Sequence, residues 1–514
     1  MSDEYLIGID FGTSGGKCLI TDLKGNEKAR TFKEWWYSSP EEIRPYAKEF
    51  NANDFWRFIS EAVRETLRKA KVPAGKVVGV SSSSLRQGIV LLDADGEELY
   101  AGPNIDARGA LAQDKILNTL GDQGIFDITG QGPTVICAPA RLLWFKENKP
   151  EVYKKVSHML MVNDWVLYRL SGVYASEHSC ASSSAFLDVE KREWSAKVCQ
   201  ELELPSEILA DLYRSGEKIG AVTMQASKET GLAEGTAVVT GGGDSMLGLL
   251  GTAAVDDYDT TVIGGTTSML QTVLSTPLVD SERRIPTSCH VIPGKWVIEA
   301  NAGMTGKVYN WLRLALSKAL ATGKTSDRSQ ELDFKQMDEL AGQIPPGSDN
   351  MYAILGSEIM DLKKIETIRP GMFLFPPPAN PMTVTPTDAR HMIRATIENM
   401  ACALHGNKLV IEEVIKRKIK KVKATGGLSK GRIWVQTLAD VSGIPVETFR
   451  LKEGSLLGCA ICAATGIGEY GSLEEAAKNM VQLEATLEPN KEVREVYEGY
   501  FDRWRELYDK IVGF

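Results

Sequence analysis

Tyr5-Leu-Ile-Gly-Ile-Asp-Phe-Gly-Thr-Ser-Gly-Gly-Lys-Cys-Leu-Ile-Thr-Asp22 sets two apolar runs around a Gly/Ser/Thr turn, and each run closes on an aspartate. The pattern predicts a β-hairpin with a glycine-rich turn. Gly12, Gly15 and Gly16 allow backbone N–H groups to converge into a small cradle suited to phosphate. Thr13 and Ser14 add hydroxyl donors, Lys17 adds charge, and Asp10 stands where a Mg2+-bound water can be held. Taken alone, such a hairpin is more often a plain tight turn. Its weight comes from a second copy, Thr260-Thr-Val-Ile-Gly-Gly-Thr-Thr-Ser-Met-Leu-Gln-Thr-Val273, with the same strand, turn and strand. Two such hairpins facing each other would clamp one polyphosphate between two lobes.

The 514 residues call for more than one core, because single cores stop growing at roughly 250–300 residues. A formal net charge of −9 without a basic tract argues against nucleic acid and anionic membrane as partners. No apolar run approaches the ~18 residues of a membrane span. Met-Ser-Asp-Glu leads straight into the first strand, so no signal peptide is expected and the chain reads as cytoplasmic. The eight cysteines are scattered, as suits a reducing compartment. Cys459 and Cys462 lie in a Gly/Ala-rich helical pattern and read as small buried residues rather than a metal or redox pair.

Asn26–Trp36 reads as a third strand, Asn53–Ala70 as an amphipathic helix, and Val77–Val80 as a short buried strand. Ser81-Ser-Ser-Ser-Leu-Arg-Gln-Gly88 follows. The residues favour a polar loop there, but Arg86 and Gln87 also suit polyol recognition, which needs both donors and acceptors. Asn104, Asp106 and Arg108 come just after another expected strand. Ser179–Ser184 with Phe186–Asp188 reads as a short loop and strand, and 326–349 as surface-lying. Trp144 and Trp165 read as core.

Ala237-Val-Val-Thr-Gly-Gly-Gly-Asp-Ser-Met-Leu-Gly248 is the stretch most suggestive of chemistry. A buried strand breaks at three glycines and puts Asp244 at a helix start. That carboxylate is either an N-cap or a general base that a hydroxyl-bearing substrate can approach closely. Lys421–Gly431 gives a strand, glycines and a helix, a turn able to lay flat backbone against a nucleobase or phosphate.

Gly8-Ile-Asp-Phe-Gly-Thr-Ser14, Gly241-Gly-Gly-Asp244, Gly264-Gly-Thr-Thr267 and Ala424-Thr-Gly-Gly-Leu-Ser429, the last followed by Trp434–Asp440, occur in a set order. This order resembles the FGGY carbohydrate kinases over essentially the whole chain. The resemblance implies an α/β fold of two actin-like (ribonuclease H-like) domains around a central cleft. Residues 1–252 would bind mainly sugar and residues 253–514 mainly ATP. It implies Asp244 as catalytic base and Asp10 as a holder of Mg2+. Gly12, Thr13 and Ser14 would face the γ-phosphate, and Gly265 and Thr266 the other phosphates. Gly306, Asn310, Gly426 and Gly427 would line the nucleoside.

Sugar recognition is expected from Arg86, Gln87, Asn104, Asp106 and Asp244. Gln87 stands where glycerol kinases carry a glutamate, and Asn104 and Ile136 where they place Trp and Tyr, so glycerol is disfavoured. Arg141 replaces the lysine usual in one family signature. Leu85–Leu91, Asn104–Arg108 and Pro345–Ser348 look most like the autoinducer-2 kinase branch, which phosphorylates a small linear polyhydroxy ketone. A ketopentose such as xylulose or ribulose is the alternative acceptor. An actin-like ATPase without sugar chemistry is the alternative of a different class. A homodimer is left open.

Overall fold

The computed structural model describes residues 3–132, 135–320, 331–364, 370–376 and 387–511. The chain divides into two units. The first is Met1–Asp257, Val273–Ile298 and Glu453–Gln482; the second is Tyr258–Thr272, Glu299–Lys452 and Leu483–Phe514. The expected division has one boundary, at 252/253; here two later segments, Val273–Ile298 and Glu453–Gln482, group with the first unit.

The first unit is built on β1 (Tyr5–Phe11), β2 (Gly15–Asp22), β3 (Glu27–Glu34) and β4 (Val77–Ser84). The sheet runs Lys218–Ala221, Ala237–Gly243, β4, β1, β2, β3. β1 pairs antiparallel with β2 and parallel with β4, which pairs parallel with Ala237–Gly243. Helix α1 (Ala52–Ala70) starts on Asn51, whose side chain accepts from the Asp54 N–H at 3.0 Å. It buries Phe55, Trp56, Ile59, Val63 and Leu67, an i, i+4 stripe, in the core that holds Phe11, Trp35, Phe50 and Trp165. Phe11 lies 4.5 Å from Trp35 and 5.2 Å from Phe50, ring centre to ring centre. Trp144 is buried in a second cluster of the same unit.

The polar-loop reading of Ser81–Ser84 is overturned: all four serines are buried in β4. A central parallel strand is covered on both faces. Three of the four hydroxyls find acceptors: Ser82 Oγ donates to Asn163 Oδ1 at 2.6 Å, Ser83 Oγ to Asp10 Oδ1 at 2.5 Å and Ser84 Oγ to Leu85 O at 2.9 Å. Ser179–Ser182 belong to a short helix, His178–Ser182, rather than a loop.

The second unit repeats the arrangement. Its sheet runs Leu483–Leu487, Val446–Phe449, Val422–Gly426, Thr260–Gly264, Ser268–Leu274 and Trp296–Asn301, these last two beginning or ending in the first unit, and closes on Thr287–Cys289, a seventh strand that belongs to the first unit. Thr260–Gly264 again pairs antiparallel with the next strand and parallel with Val422–Gly426, which pairs parallel with Val446–Phe449. Of the stretch 326–349, residues 326–330 lie outside the described residues, and Phe334–Ala341 is a helix with Met337 and Ala341 buried. Near the end, helix Arg494–Ile511 buries Tyr497, Tyr500, Trp504, Tyr508 and Ile511.

Candidate functional sites

In the first unit, Gly12, Thr13 and Ser14 join β1 to β2, with Thr13 and Ser14 exposed. The Gly12 N–H donates to Gly15 O at 3.0 Å and closes the turn. Gly15 and Gly16 are not part of a cradle, as the sequence suggested. They are buried strand residues, and a Cβ would lie 2.3 Å from the Phe32 ring at Gly15 and 2.6 Å from Trp35 at Gly16. Asp10 is 6% exposed and stands opposite Lys17 in the hairpin register. Lys17 Nζ reaches Glu453 Oε2 at 2.8 Å. Burial works against the Lys17 charge, but Asp10 and Glu453 outweigh it and raise its pKa above the ordinary lysine value.

Asp244 is the first residue of helix Asp244–Leu250 and is half-buried; the N-cap position belongs to Gly243. Its Oδ1 accepts from the Ser245 N–H at 2.6 Å. The first two of the three glycines before it leave no room for a side chain, and the third is tightly packed. A Cβ would lie 1.7 Å from Ser82 O at Gly241, 2.7 Å from Ser179 Oγ at Gly242 and 3.2 Å from Arg86 Cγ at Gly243. The stem of Arg86 therefore lies against the residue preceding Asp244, and the fold brings these two expected site residues together. Behind the turn, Ser179 Oγ accepts from the Gly243 N–H at 3.0 Å and donates to Glu177 Oε2 at 2.5 Å. Sequence reasoning missed Glu177 and Ser179, because nothing local marks a buried glutamate as the brace of a turn 66 residues away.

Gln87 and Asn104 are half-buried. Gln87 has φ 60°, a left-handed conformation unusual for a residue with a side chain. Asn104 Oδ1 accepts from Thr13 Oγ1 at 3.4 Å, which links the expected sugar and phosphate residues. Asp106 departs from expectation. It is fully buried, and its Oδ1 accepts from Lys48 N at 3.1 Å and Arg108 N at 3.3 Å. Its Oδ2 accepts from Arg108 Nε at 2.7 Å and from Tyr100 OH. A carboxylate has about four acceptor positions, so Asp106 has none left for a ligand and instead fixes the turn that carries Asn104. Arg141, also fully buried, donates to the carbonyls of Gln87, Gly102, Pro103 and Ile136.

In the second unit, Gly265 and Thr266 form the exposed turn between two paired strands, with Gly265 N donating to Thr267 O at 2.8 Å. Thr266 O accepts from Lys307 N at 3.1 Å, tying the turn to the first turn of helix Thr305–Leu320. At Gly306 a Cβ would lie 1.9 Å from Gly265 O, and at Gly426, φ 88°, it would lie 2.4 Å from Gly264 O. Three distant stretches thus meet backbone to backbone at the end of parallel strands, where α/β sheets bind ligands. Gly427 follows in an exposed position. Asn310 lies one turn along the helix from Gly306, and its Oδ1 accepts from Arg313 Nε at 3.0 Å.

Comparison with known proteins bears on both halves. Residues 5–251 match the N-terminal domain of the FGGY family of carbohydrate kinases, and residues 260–467 match its C-terminal domain. The chain is 32% identical to autoinducer-2 kinase of Escherichia coli (strain K12), covering 100% of this chain and 95% of that one. Identity and coverage are the same for the autoinducer-2 kinase of Yersinia pestis bv. Antiqua. Among solved structures, xylulose kinase from Rhodospirillum rubrum shares the fold with a TM-score of 0.82 at 22% identity, covering 99% of each chain. Glycerol kinase from Plasmodium falciparum with ADP gives 0.81 at 15% identity, covering 99% of this chain and 98% of that one.

Proposed function

This chain belongs to the FGGY family of carbohydrate kinases, and on that premise we propose that its acceptor is a small linear polyhydroxy ketone of the autoinducer-2 type, phosphorylated at a primary hydroxyl. As a family member it is a phosphotransferase that uses ATP and acts on a sugar hydroxyl. The observation that carries the choice of acceptor is the 32% identity to autoinducer-2 kinases over the full chain. The side-chain chemistry supports it: Arg86, Gln87 and Asn104 carry guanidinium and amide groups suited to an oxygen-rich ligand, and the Arg86 stem lies against Gly243, the residue before Asp244.

In the proposed reaction Asp244 takes the proton of the acceptor hydroxyl. The oxygen forms its bond to the γ-phosphorus as the bond to the β-bridging oxygen breaks, and ADP leaves. Gly12, Thr13 and Ser14 receive the γ-phosphoryl group. Gly265 and Thr266 take the other phosphates, while Gly306, Asn310, Gly426 and Gly427 take the nucleoside. Asp106 orients the Asn104 turn. Lys17, already bonded to Glu453, supplies positive charge beside Asp10.

Asp10 fits a holder of Mg2+: among the described residues only Ser83 hydrogen-bonds its carboxylate, at Oδ1. Mg2+ commonly needs only one or two carboxylates besides phosphates and water. When bound it neutralises phosphate charge. Steady-state ADP release with an autoinducer-2-type ketone, xylulose, ribulose and glycerol tests the proposal. We expect kcat/KM to fall in that order, and glycerol as the best acceptor would overturn it.

A further inference from the structure

Building on the assignment of Gln87 and Asn104 to the acceptor site, we propose that Arg141 is a positioning residue that sets acceptor selectivity by holding these two residues at a fixed spacing. Arg141 lies on helix Ala138–Asn148 and is fully buried. Its Nη2 donates to Gln87 O and, at 2.5 Å, to Ile136 O; its Nη1 donates to Gly102 O and Pro103 O, each at 3.3 Å. One planar group therefore joins three chain segments. The first carries Gln87, the second runs directly into Asn104, and the third carries Ile136.

Among the described residues no carboxylate hydrogen-bonds this guanidinium, and its Nε has no partner. Carbonyl dipoles alone balance a buried charge poorly, so an apolar side chain would serve better if filling space were the only task. Gln87 gives the charge its purpose. Its peptide is held from both sides, N–H to Ser183 Oγ at 3.3 Å and carbonyl to Arg141, in the left-handed conformation noted above. A strained residue persists where its surroundings over-determine it, and such strain gathers at ligand sites. Asn104, one residue beyond Pro103, accepts only a long hydrogen bond from Thr13 Oγ1, at 3.4 Å, so its position rests on the backbone before it. The two arms of the guanidinium thus set the gap between the two amide side chains. A lysine ammonium, a single point with three donors, does not span both.

The test uses the full-length enzyme and whichever of the four acceptors above the wild type phosphorylates best. Arg141→Lys is expected to raise KM for that acceptor roughly ten- to a hundredfold while kcat and the KM for ATP stay within about threefold. Its preference over glycerol should narrow. Because Arg141 acts through Gln87, combining it with Gln87→Ala should cost clearly less than the two single effects added. Hydrogen exchange should quicken at 86–88 and 104–106 and little elsewhere. Ser183→Ala, which frees the Gln87 N–H without disturbing the buried charge, should move KM the same way and serves if Arg141→Lys does not fold. Unchanged KM and selectivity in the folded variant, or strictly additive effects with Gln87→Ala, overturn the proposal. If the wild type phosphorylates none of the four, the acceptor assignment fails, and the exchange pattern alone decides whether Arg141 holds these turns.

Discussion

Asp244 is half-buried and follows three glycines, of which Gly241 and Gly242 pass Ser82 and Ser179 at distances that forbid a Cβ. Asp244→Asn keeps the turn and removes the base, so phosphoryl transfer should drop by about 10²–10⁴. Calorimetry should find ATP affinity unchanged, and near-normal turnover would reject the role.

His290 offers a second check at this scale. Burial, with Arg192 and Lys295 adding to it, pushes its pKa down to about 3. Its Nδ1 accepts from the Ile292 N–H at 2.9 Å. The unfolded chain binds a proton near pH 6.5 that the folded chain refuses. This site's share of stability is therefore complete above about pH 6.5 and is lost as pH falls towards 3. Between pH 7 and 5 the loss should be about 2 kcal/mol. Urea unfolding of His290→Asn, which keeps an acceptor but does not titrate, should show a correspondingly smaller drop.

Among the elements, helix Gly454–Gly466 shows how composition and packing meet. The sequence reads as a small-residue helix made for close approach, and the structure supplies what it approaches. A Cβ at Gly458 would lie 2.3 Å from Leu247 O, one at Gly8 would lie 2.6 Å from Leu456 O, and one at Gly251 would lie 2.0 Å from Gly454 O. Cys459 and Cys462 are buried free thiols on the same helix, as their setting in the sequence suggests. Alanine favours a helix over glycine by about 1 kcal/mol. A clash with a backbone oxygen cannot be relieved by a rotamer change, however, so Gly458→Ala should still destabilise by about 1–2 kcal/mol net. A raised denaturation midpoint in that variant would contradict this packing.

At the scale of the whole molecule, the first unit is completed by chain that lies far along the sequence. Tyr470 OH donates to Leu23 O at 3.0 Å, and Gln482 Nε2 to Asn26 Oδ1 at 2.9 Å. A fragment of residues 1–298 should therefore expose the apolar surface that Glu453–Gln482 covers. It should bind a hydrophobic dye and lack a cooperative thermal transition, while the same fragment with residues 453–482 linked to it should unfold cooperatively. Cooperative unfolding of the shorter fragment would show that the late segment is dispensable.

The features legible in the sequence are local ones. Both hairpins, helix α1, the strand before Asp244 (which runs on through Gly241–Gly243 rather than breaking there) and the glycines at 426 and 427 follow from side-chain period and turn chemistry within a dozen residues. The repeat of Tyr5–Asp22 in Thr260–Val273 marked a second strand–turn–strand, and each of the two lies in its own sheet. Other features depended on partners distant in sequence. Ser81–Ser84 look like a loop until β4 is covered on both faces and Asn163 and Asp10 accept the hydroxyls of Ser82 and Ser83. Asp106 looks like a ligand carboxylate until Lys48, Tyr100 and Arg108 fill its acceptor positions. Arg141 stands in the sequence as an arginine in place of a signature lysine, and its use shows only where four carbonyls converge on it. A hydrogen-bonding group shows its type in the sequence, but whether it is spent inside the protein or left for a ligand depends on what long-range folding places beside it.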